Sequence, residues 1–422
     1  MTSSETAPEN PRVEQLKKRL ASRVEKNRKL LEIVRKLRSS LKNAGAKAET
    51  HKLNGPVNRY LRFSQLAADA AEELAADVAV AHGVQSLPAA WMVAKQTGAR
   101  LFCDVIEIPS FHDRVLTRNW HVTNTEFLDC AFEGYLRKCH GLLTIGPTLG
   151  KAISHYGPPV TVVQNYRYAE TPKRSGRLRE MCKLSAGDRL VLTMSKTVHG
   201  LEEVVHALEL LPDDIHLATL GRPHPQSYED TINALIAERG LARRVHIFDQ
   251  VPYEELTSVA SGADGGLIVR DPAILNNYVS LPNRIFDYMF SGVPVCVSAE
   301  IPDIVSVVTE WDMGALVDTL TPVGWAGAID TVLRRSEEMR LNALRAAQAL
   351  TWESREPVLF EALGYPRSVT YFGMIDLRGN NRTMRMAKSF AGYGTKVSIC
   401  CVGKTPPTET EAQRYHFHIF DA

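Results

Sequence analysis

The chain has 422 residues, 44% of them hydrophobic and 23% charged, and its 50 Lys and Arg against 48 Asp and Glu leave a formal net charge of +2. Those figures exclude a low-complexity chain and a surface coated throughout with nucleic acid, and the length suits two or three domains. No apolar run of about 18 residues is present and the N-terminal stretch lacks a signal-peptide core, so neither a membrane span nor secretion is expected. The seven cysteines (103, 130, 139, 182, 296, 400 and 401) show no C-x-x-C spacing, and a reducing cytoplasm is the compartment they predict.

The near neutrality hides an asymmetry. Between Arg12 and Lys47 stand thirteen Lys or Arg and three Glu, so this stretch carries +10 and the remainder of the chain −8. Met1–Asn10 is rich in Ser, Thr, Pro and Glu, a composition of disorder. From Val13 the apolar residues fall on a heptad, with Val13, Leu20, Asn27, Val34 and Leu41 in one column and Leu16, Arg23, Leu30 and Leu37 in the other. Residues 1–50 thus read as a disordered tail and a basic, coiled-coil-like helix. Three uses remain open for residues 12–47: a solvated helix on its own body, self-association, or docking on an anionic membrane at the inner face of the cell. Nucleic acid is disfavoured, because the arm has no Phe, Trp or Tyr to stack on bases.

From Val57 onward short apolar runs alternate with amphipathic helical patterns, the signature of parallel sheets covered by helices. Strands are expected at 78–81, 100–106, 141–145 and 160–163, then at 190–194, 216–220, 245–248, 266–269, 293–298 and 315–317. Intervening helices are expected at 201–211, 228–239, 253–260, 284–290 and 322–335. Two doubly wound domains follow, divided near 165–188, and ligands of such sheets sit beyond the carboxyl ends of the strands.

The most informative stretch runs from Ser280 to Ser298, SLPNRIFDYMFSGVPVCVS. Leu281–Pro282–Asn283 reads as a helix start with Asn283 as N-cap, and the exposed N–H groups there favour a diphosphate. Asp287, one turn in, could accept two sugar hydroxyls. This stretch resembles the nucleotide-sugar site of retaining GT-B glycosyltransferases of the family-four (group 1) type, which read L-P-N-K-x-x-E-Y-x-x-x-G-x-P-V. Val162–Tyr166 (VVQNY), Gly141–Gly146 (GLLTIG) and Val245–Pro252 (VHIFDQVP) with Ala263–Asp264 resemble further motifs of that family, in the same order. The resemblance spans roughly 57–365. It implies an α/β GT-B fold, two Rossmann-like doubly wound domains facing a cleft, in addition to the N-terminal basic helix.

The same resemblance implies donor-binding roles for Asp287, Arg284, Asn283 and Pro282, and for Lys196 and Gly200 in the loop after the first strand of the second domain. Two departures bear on activity: Asp287 stands where the family has Glu, and Val279 stands where it has an earlier Glu. His82 and Glu107, each following a strand of the first domain, are candidates for the acceptor side or the cleft. No side chain stands out as a nucleophile, so the catalytic residue is left unassigned. The class implies no metal and no cofactor beyond the nucleoside-diphosphate sugar, which is substrate.

The globular part opens in the middle of the expected first domain. Its missing start is expected at the other end, as a strand at 369–375, a loop with Arg378, Gly379, Asn380 and Asn381, a helix at 382–392 and strands at 394–402 and 415–420. A circular permutation is therefore expected, with 57–165 plus 366–422 as the first, acceptor-side domain and 166–365 as the second, donor domain; a truncated second module is the competing reading. The expected activity is transfer of a sugar from a nucleoside diphosphate to an unknown acceptor, glycan or lipid-linked. The alternatives are a catalytically degenerate GT-B-like scaffold and a sugar-nucleotide epimerase.

Overall fold

A computed structural model of the chain describes residues 56–108, 132–170, 174–194, 199–403 and 407–420. The basic arm, Lys196 and Cys130 lie outside the described residues.

Thirteen strands form two all-parallel sheets. The first contains β1 (Val78–His82), β2 (Arg100–Val105), β3 (Gly141–Thr144) and β4 (Val160–Val162). The second contains β5 (Arg189–Met194), β6 (Ile215–Leu220), β7 (Val245–Phe248), β8 (Gly265–Ile268), β9 (Val295–Ser298) and β10 (Gly314–Val317). The last three strands, β11 (Ser368–Gly373), β12 (Lys396–Val402) and β13 (His416–Phe420), return to the first sheet, whose order is β13-β12-β11-β1-β2-β3-β4. The second sheet runs β10-β9-β8-β5-β6-β7.

Parallel sheets need both faces covered, and the alternation along each strand shows how this is met. In β1, Ala79 and Ala81 face a core that holds Phe63, Leu87 and Phe132, while Val78 and Val80 face a second core with Trp352, Phe360 and Phe390. In β5, Leu190, Leu192 and Met194 pack with Tyr288 and Phe290, and Val191 packs on the opposite face with Trp325 and Ile329.

β11 lies beside β1 with Val78 opposite Val369 and His82 opposite Gly373, the pairing expected of the C-terminal strand. Asp77 reinforces it across 290 positions, its carboxylate accepting from the N–H groups of Arg367 at 2.7 Å and Ser368 at 3.1 Å. Two crossings join the halves, at 165–168 and 350–356, and they are tied to each other by Trp352 N–H to Arg167 O at 2.7 Å.

The expected strands agree with the observed ones to within two residues at each end. Nine of the described helices had no sequence counterpart; the longest are Pro56–Asp69, Leu87–Thr97, Pro302–Trp311, Ser336–Ala349 and Glu356–Leu363. One cap is corrected. The helix Asn283–Ser291 has Pro282 as its N-cap, with no side-chain capping bond, and Asn283 is its first residue. The Asn283 carboxamide oxygen instead accepts from Asn165 Nδ2 at 2.8 Å, so the crossover strap holds the side chain that the sequence assigned to the cap. The helix ends on Gly292 in the left-handed conformation at φ 63°, as its Gly-Val-Pro sequence requires.

Candidate active site in the cleft

Each sheet has a point where successive connections run in opposite directions, and loops part there to leave a crevice. In the first sheet it falls between β1 and β11; in the second, between β5 and β8. A cavity of about 330 Å³ opens between the two. His82, Ile106, Glu107, Ile145 and Gly379–Arg382 line it from the first sheet, Arg270, Asn276 and Ser280–Asn283 from the second, and Asn165 from the crossover. Seven residues singled out in the sequence, His82, Glu107, Pro282, Asn283, Gly379, Asn380 and Asn381, thus share one wall-to-wall space although they span 300 positions of chain.

Other candidates fall elsewhere. Arg378 turns away to the Asp376 carboxylate. Gly200, at φ 81°, caps the start of the helix Leu201–Leu208 and is not part of the cavity lining. Arg284 sits close enough to Arg270 to depress its pKa, but does not line the cavity. Asp287 is only 6% exposed and also lies behind the lining. Its Oδ1 accepts from Arg167 Nη1 at 2.7 Å, so the carboxylate expected to be open to sugar hydroxyls already holds a partner. Burial pushes the Asp287 carboxyl up, against the opposing charges of Arg167, Arg385 and Arg284.

Around that pair the crossover is knotted to both halves. The Arg167 guanidinium lies 4.5 Å from the Tyr253 ring centre. Arg385, from the C-terminal helix Asn381–Gly392, donates to Asn165 Oδ1 at 2.6 Å and to the Tyr253 hydroxyl at 3.0 Å. A second bridge between the halves is made by Asp303, whose carboxylate accepts from Thr148 Oγ1 at 2.5 Å and Thr148 N–H at 3.2 Å. Gly146 permits this approach, because a Cβ there would stand 2.2 Å from Asp303 Oδ2. Gly146→Ala is expected to pry the halves apart at this edge, at a cost of about 1–3 kcal/mol. A lowered melting temperature with an increased radius of gyration in small-angle scattering would bear this out; unchanged values would refute it.

The electrostatics of the cavity are uneven. Arg270 donates to Ser280 Oγ at 3.0 Å and makes no ion pair among the described residues. Burial, with Arg284 beside it, pulls its pKa down to about 10. Arg284 is likewise lowered by burial and makes no ion pair among the described residues. A cation that the protein desolvates without neutralising is a site prepared for an anion. The opposite wall carries His82, Glu107, Asn380, Asn381 and Arg382, and Arg382 is ion-paired to the buried Asp104 behind it, Nη2 to Oδ1 at 2.7 Å. Sequence reading missed Arg270, Asp104, Arg382, Asn165, Arg167 and Arg385. The one available signal was Asp104 itself, a carboxylate in the otherwise apolar strand RLFCDV.

Two parallel, helix-covered sheets facing each other across a cleft at their carboxyl ends define the GT-B architecture of glycosyltransferases. The model superposes on sucrose-phosphate synthase from Thermosynechococcus elongatus with a TM-score of 0.57 at 18% identity, over 68% of this chain and 73% of that one. It superposes on HepE of Anabaena, solved in complex with UDP, with a TM-score of 0.56 at 15% identity, over 71% and 81%. In sequence, the chain is 29% identical over 135 residues to D-inositol 3-phosphate glycosyltransferase of Corynebacterium glutamicum, 31% of each chain. It is 28% identical over 162 residues to the protein of the same name from Corynebacterium efficiens, covering 36% of this chain and 37% of that one. The chain spans about a third of the length of the curated relatives it matches. No family model matches. These relatives and neighbours are glycosyltransferases, and the fold is theirs. Among the described residues no helix is long and apolar enough to cross a membrane.

Proposed function

We propose that the protein is a retaining glycosyltransferase of the family-four type that moves a sugar from a nucleoside diphosphate to an acceptor hydroxyl in the cleft. The observation that carries this reading is the cavity with Arg270, free of ion pairs among the described residues, on the second-domain wall and the hydrogen-bonding groups of His82, Glu107, Asn380 and Asn381 on the first. Arg270, with Arg284 behind it, stabilises the charge that grows on the leaving diphosphate. The start of the helix Asn283–Ser291 supplies N–H groups to the same end. HepE, with the same fold, has been solved with UDP-glucose, which supports a nucleotide-sugar donor. The relatives' name supports an acceptor of the phosphorylated polyol class.

In this reading no side chain forms a covalent intermediate. The acceptor hydroxyl approaches the anomeric carbon on the face that the diphosphate leaves, and the departing phosphate oxygen takes its proton. Asp287 reaches the donor ribose once Arg167 gives up its Oδ1. The β11–β13 segment is read as the displaced beginning of the first domain, so the chain is circularly permuted. The arm at 12–47 provides self-association or contact with an anionic membrane.

Two observations favour a second reading, a degenerate scaffold: Val279 stands where the resembling family has Glu, and Asp287 is engaged by Arg167. Titration calorimetry of the full chain with UDP-glucose, GDP-mannose and ADP-glucose separates the two. The transferase reading expects one of them to bind, and nucleoside diphosphate to be released when a polyol phosphate is added. Failure of all three to bind selects the scaffold.

A further inference from the structure

We propose that the buried Asp104–Arg382 ion pair acts through His82, fixing its imidazole with the proton on Nδ1 so that Nε2 faces the cleft as an acceptor for a sugar hydroxyl. The proposal rests on the donor reading above and deepens it, by naming the side of the ligand that this wall receives.

The group is assembled from both ends of the chain. His82 ends β1, Asp104 sits within β2, and Asn380 and Arg382 belong to the loop and helix that follow β11. Asp104 is 0% exposed and Arg382 3%. Arg382 Nε lies 3.0 and 2.8 Å from the two carboxylate oxygens, and its Nη1 donates to Val163 O at 2.6 Å. The guanidinium is thus held by two groups, a carboxylate and a carbonyl, and cannot turn without breaking several bonds. Burial alone would raise the Asp104 carboxyl, but Arg382 and His82 hold it at about 2, so it is ionised at any working pH.

Both nitrogens of His82 then report the same form. Nδ1 is buried and makes no hydrogen bond, and Asp104 Oδ2 stands 3.3 Å from it. A lone pair there would face a carboxylate oxygen in a dry site, whereas an N–H places a proton beside that negative charge. On the other side Nε2 lies 3.0 Å from Asn380 Nδ2. The orientation of that amide is set independently. Asn380 is the N-cap of the helix Asn381–Gly392, and its Oδ1 accepts from Thr383 N–H at 2.9 Å. With the oxygen so committed, it is the NH₂ that meets Nε2, which must be the acceptor.

The consequence is a division of labour in the cavity. An acceptor nitrogen next to Glu107 repels phosphate oxygens and receives a hydroxyl proton, while Arg270 on the opposite wall attracts the anion. A ligand carrying both groups is oriented with its diphosphate toward the second domain and its sugar hydroxyls toward His82, where one displaces the Asn380 amide. Arg382 borders the cavity, but its guanidinium is committed to Asp104 and Val163 O, so in this scheme both residues are positioning residues.

The test uses the full chain labelled with ¹⁵N-histidine, with His82 assigned by the signal lost in His82→Asn. Long-range proton–nitrogen correlation should show the proton on Nδ1 and an unprotonated Nε2 in the free protein near neutral pH. The Nε2–H form, or an imidazolium, overturns the proposal. Adding UDP-glucose, GDP-mannose or ADP-glucose should move the Nε2 resonance, while the matching nucleoside diphosphate leaves it in place; equal shifts overturn it. His82→Asn keeps a donor for Asp104 but does not reach the cavity. It should leave nucleoside diphosphate affinity unchanged and weaken the nucleotide sugar about fivefold to tenfold, the worth of one hydrogen bond. Equal weakening of both marks a merely structural histidine and refutes the assignment. Absence of any nucleotide binding in the wild type removes the donor reading, and the ligand-free spectrum then decides the role of Asp104 by itself.

Discussion

Arg382→Met should lower the free energy of unfolding by about 3–5 kcal/mol, the usual cost of leaving one member of a buried ion pair without the other. Methionine fills much of the same volume, so the loss is electrostatic rather than a cavity. Asp104 is 0% exposed, and among the described residues Arg382 is the only one that donates hydrogen bonds to its carboxylate. The bond from Arg382 to Val163 O disappears as well. Urea unfolding of the full chain measures the change, and a midpoint shift worth less than about 1 kcal/mol would contradict it.

The pH dependence gives a second, independent reading of the same variant. In the wild type Arg382 holds the folded carboxyl of Asp104 at about 2, below the ordinary aspartate value of 3.8. Its contribution is therefore complete above the unfolded value and is lost as pH falls from there through 2; it amounts to about 2 kcal/mol. Without Arg382, burial raises the folded carboxyl above the unfolded one, so the sign reverses. The variant then recovers relative to wild type as pH falls and Asp104 takes up a proton. Replacing both residues, Asp104→Leu with Arg382→Met, should restore most of the loss, since an apolar pair needs no compensation.

The ion pair also shows where the sequence is legible. The strand periodicities are read easily, because in buried parallel strands such as VAVAH and RLVLTM nearly every residue is apolar and the boundaries are polar or glycine. The helix Ser336–Ala349 has no such contrast. It carries Arg, Glu and Gln over most of its surface and is held by Met339, Ala343 and Ala346 against the second sheet's cores. The neighbourhood of β11 and β1 could be anticipated, since motif order leaves the first sheet short of strands until the C-terminal segment is supplied. Which polar residues meet across that junction could not. Asp104 and Arg382 are 278 positions apart, and neither stands in a pattern that names a partner.

The candidate site divides in the same way. Pro282, Asn283 and the Gly379–Asn381 loop were visible because the signals of a helix start and a turn are local, although the capping role read for Asn283 was not the one it plays. Arg270 was not, because one arginine after a strand is ordinary until the fold reveals that no described residue forms an ion pair with it. Asp287 failed in the opposite direction. Its motif position marks it for a ligand, while the tertiary structure gives it Arg167, a residue of the crossover whose importance no local pattern signals.

Arg270→Met should change stability and ligand binding in opposite directions. At neutral pH Arg270 is charged in a site that lowers its pKa to about 10 from 12.5. A basic group depressed on folding disfavours the folded state below its folded pKa, and the penalty fades as pH rises through 10 toward the unfolded value. The full shift overstates this because the side chain borders an open cavity, so removing the charge should stabilise the unliganded protein by about 1–2 kcal/mol. Melting temperature should rise, and the gain over wild type should shrink above pH 10. The same change takes away the charge-assisted bonds that a diphosphate would receive, weakening a nucleoside diphosphate or its sugar about tenfold to a hundredfold. Arg270→Lys separates charge from geometry: it keeps the cation but not the paired donors, and should fall between the two. A structural arginine predicts another pattern, with stability lost on Arg270→Met and affinity falling only as the fold is damaged. A more stable protein that binds its donor less well is the signature of a side chain kept for the ligand.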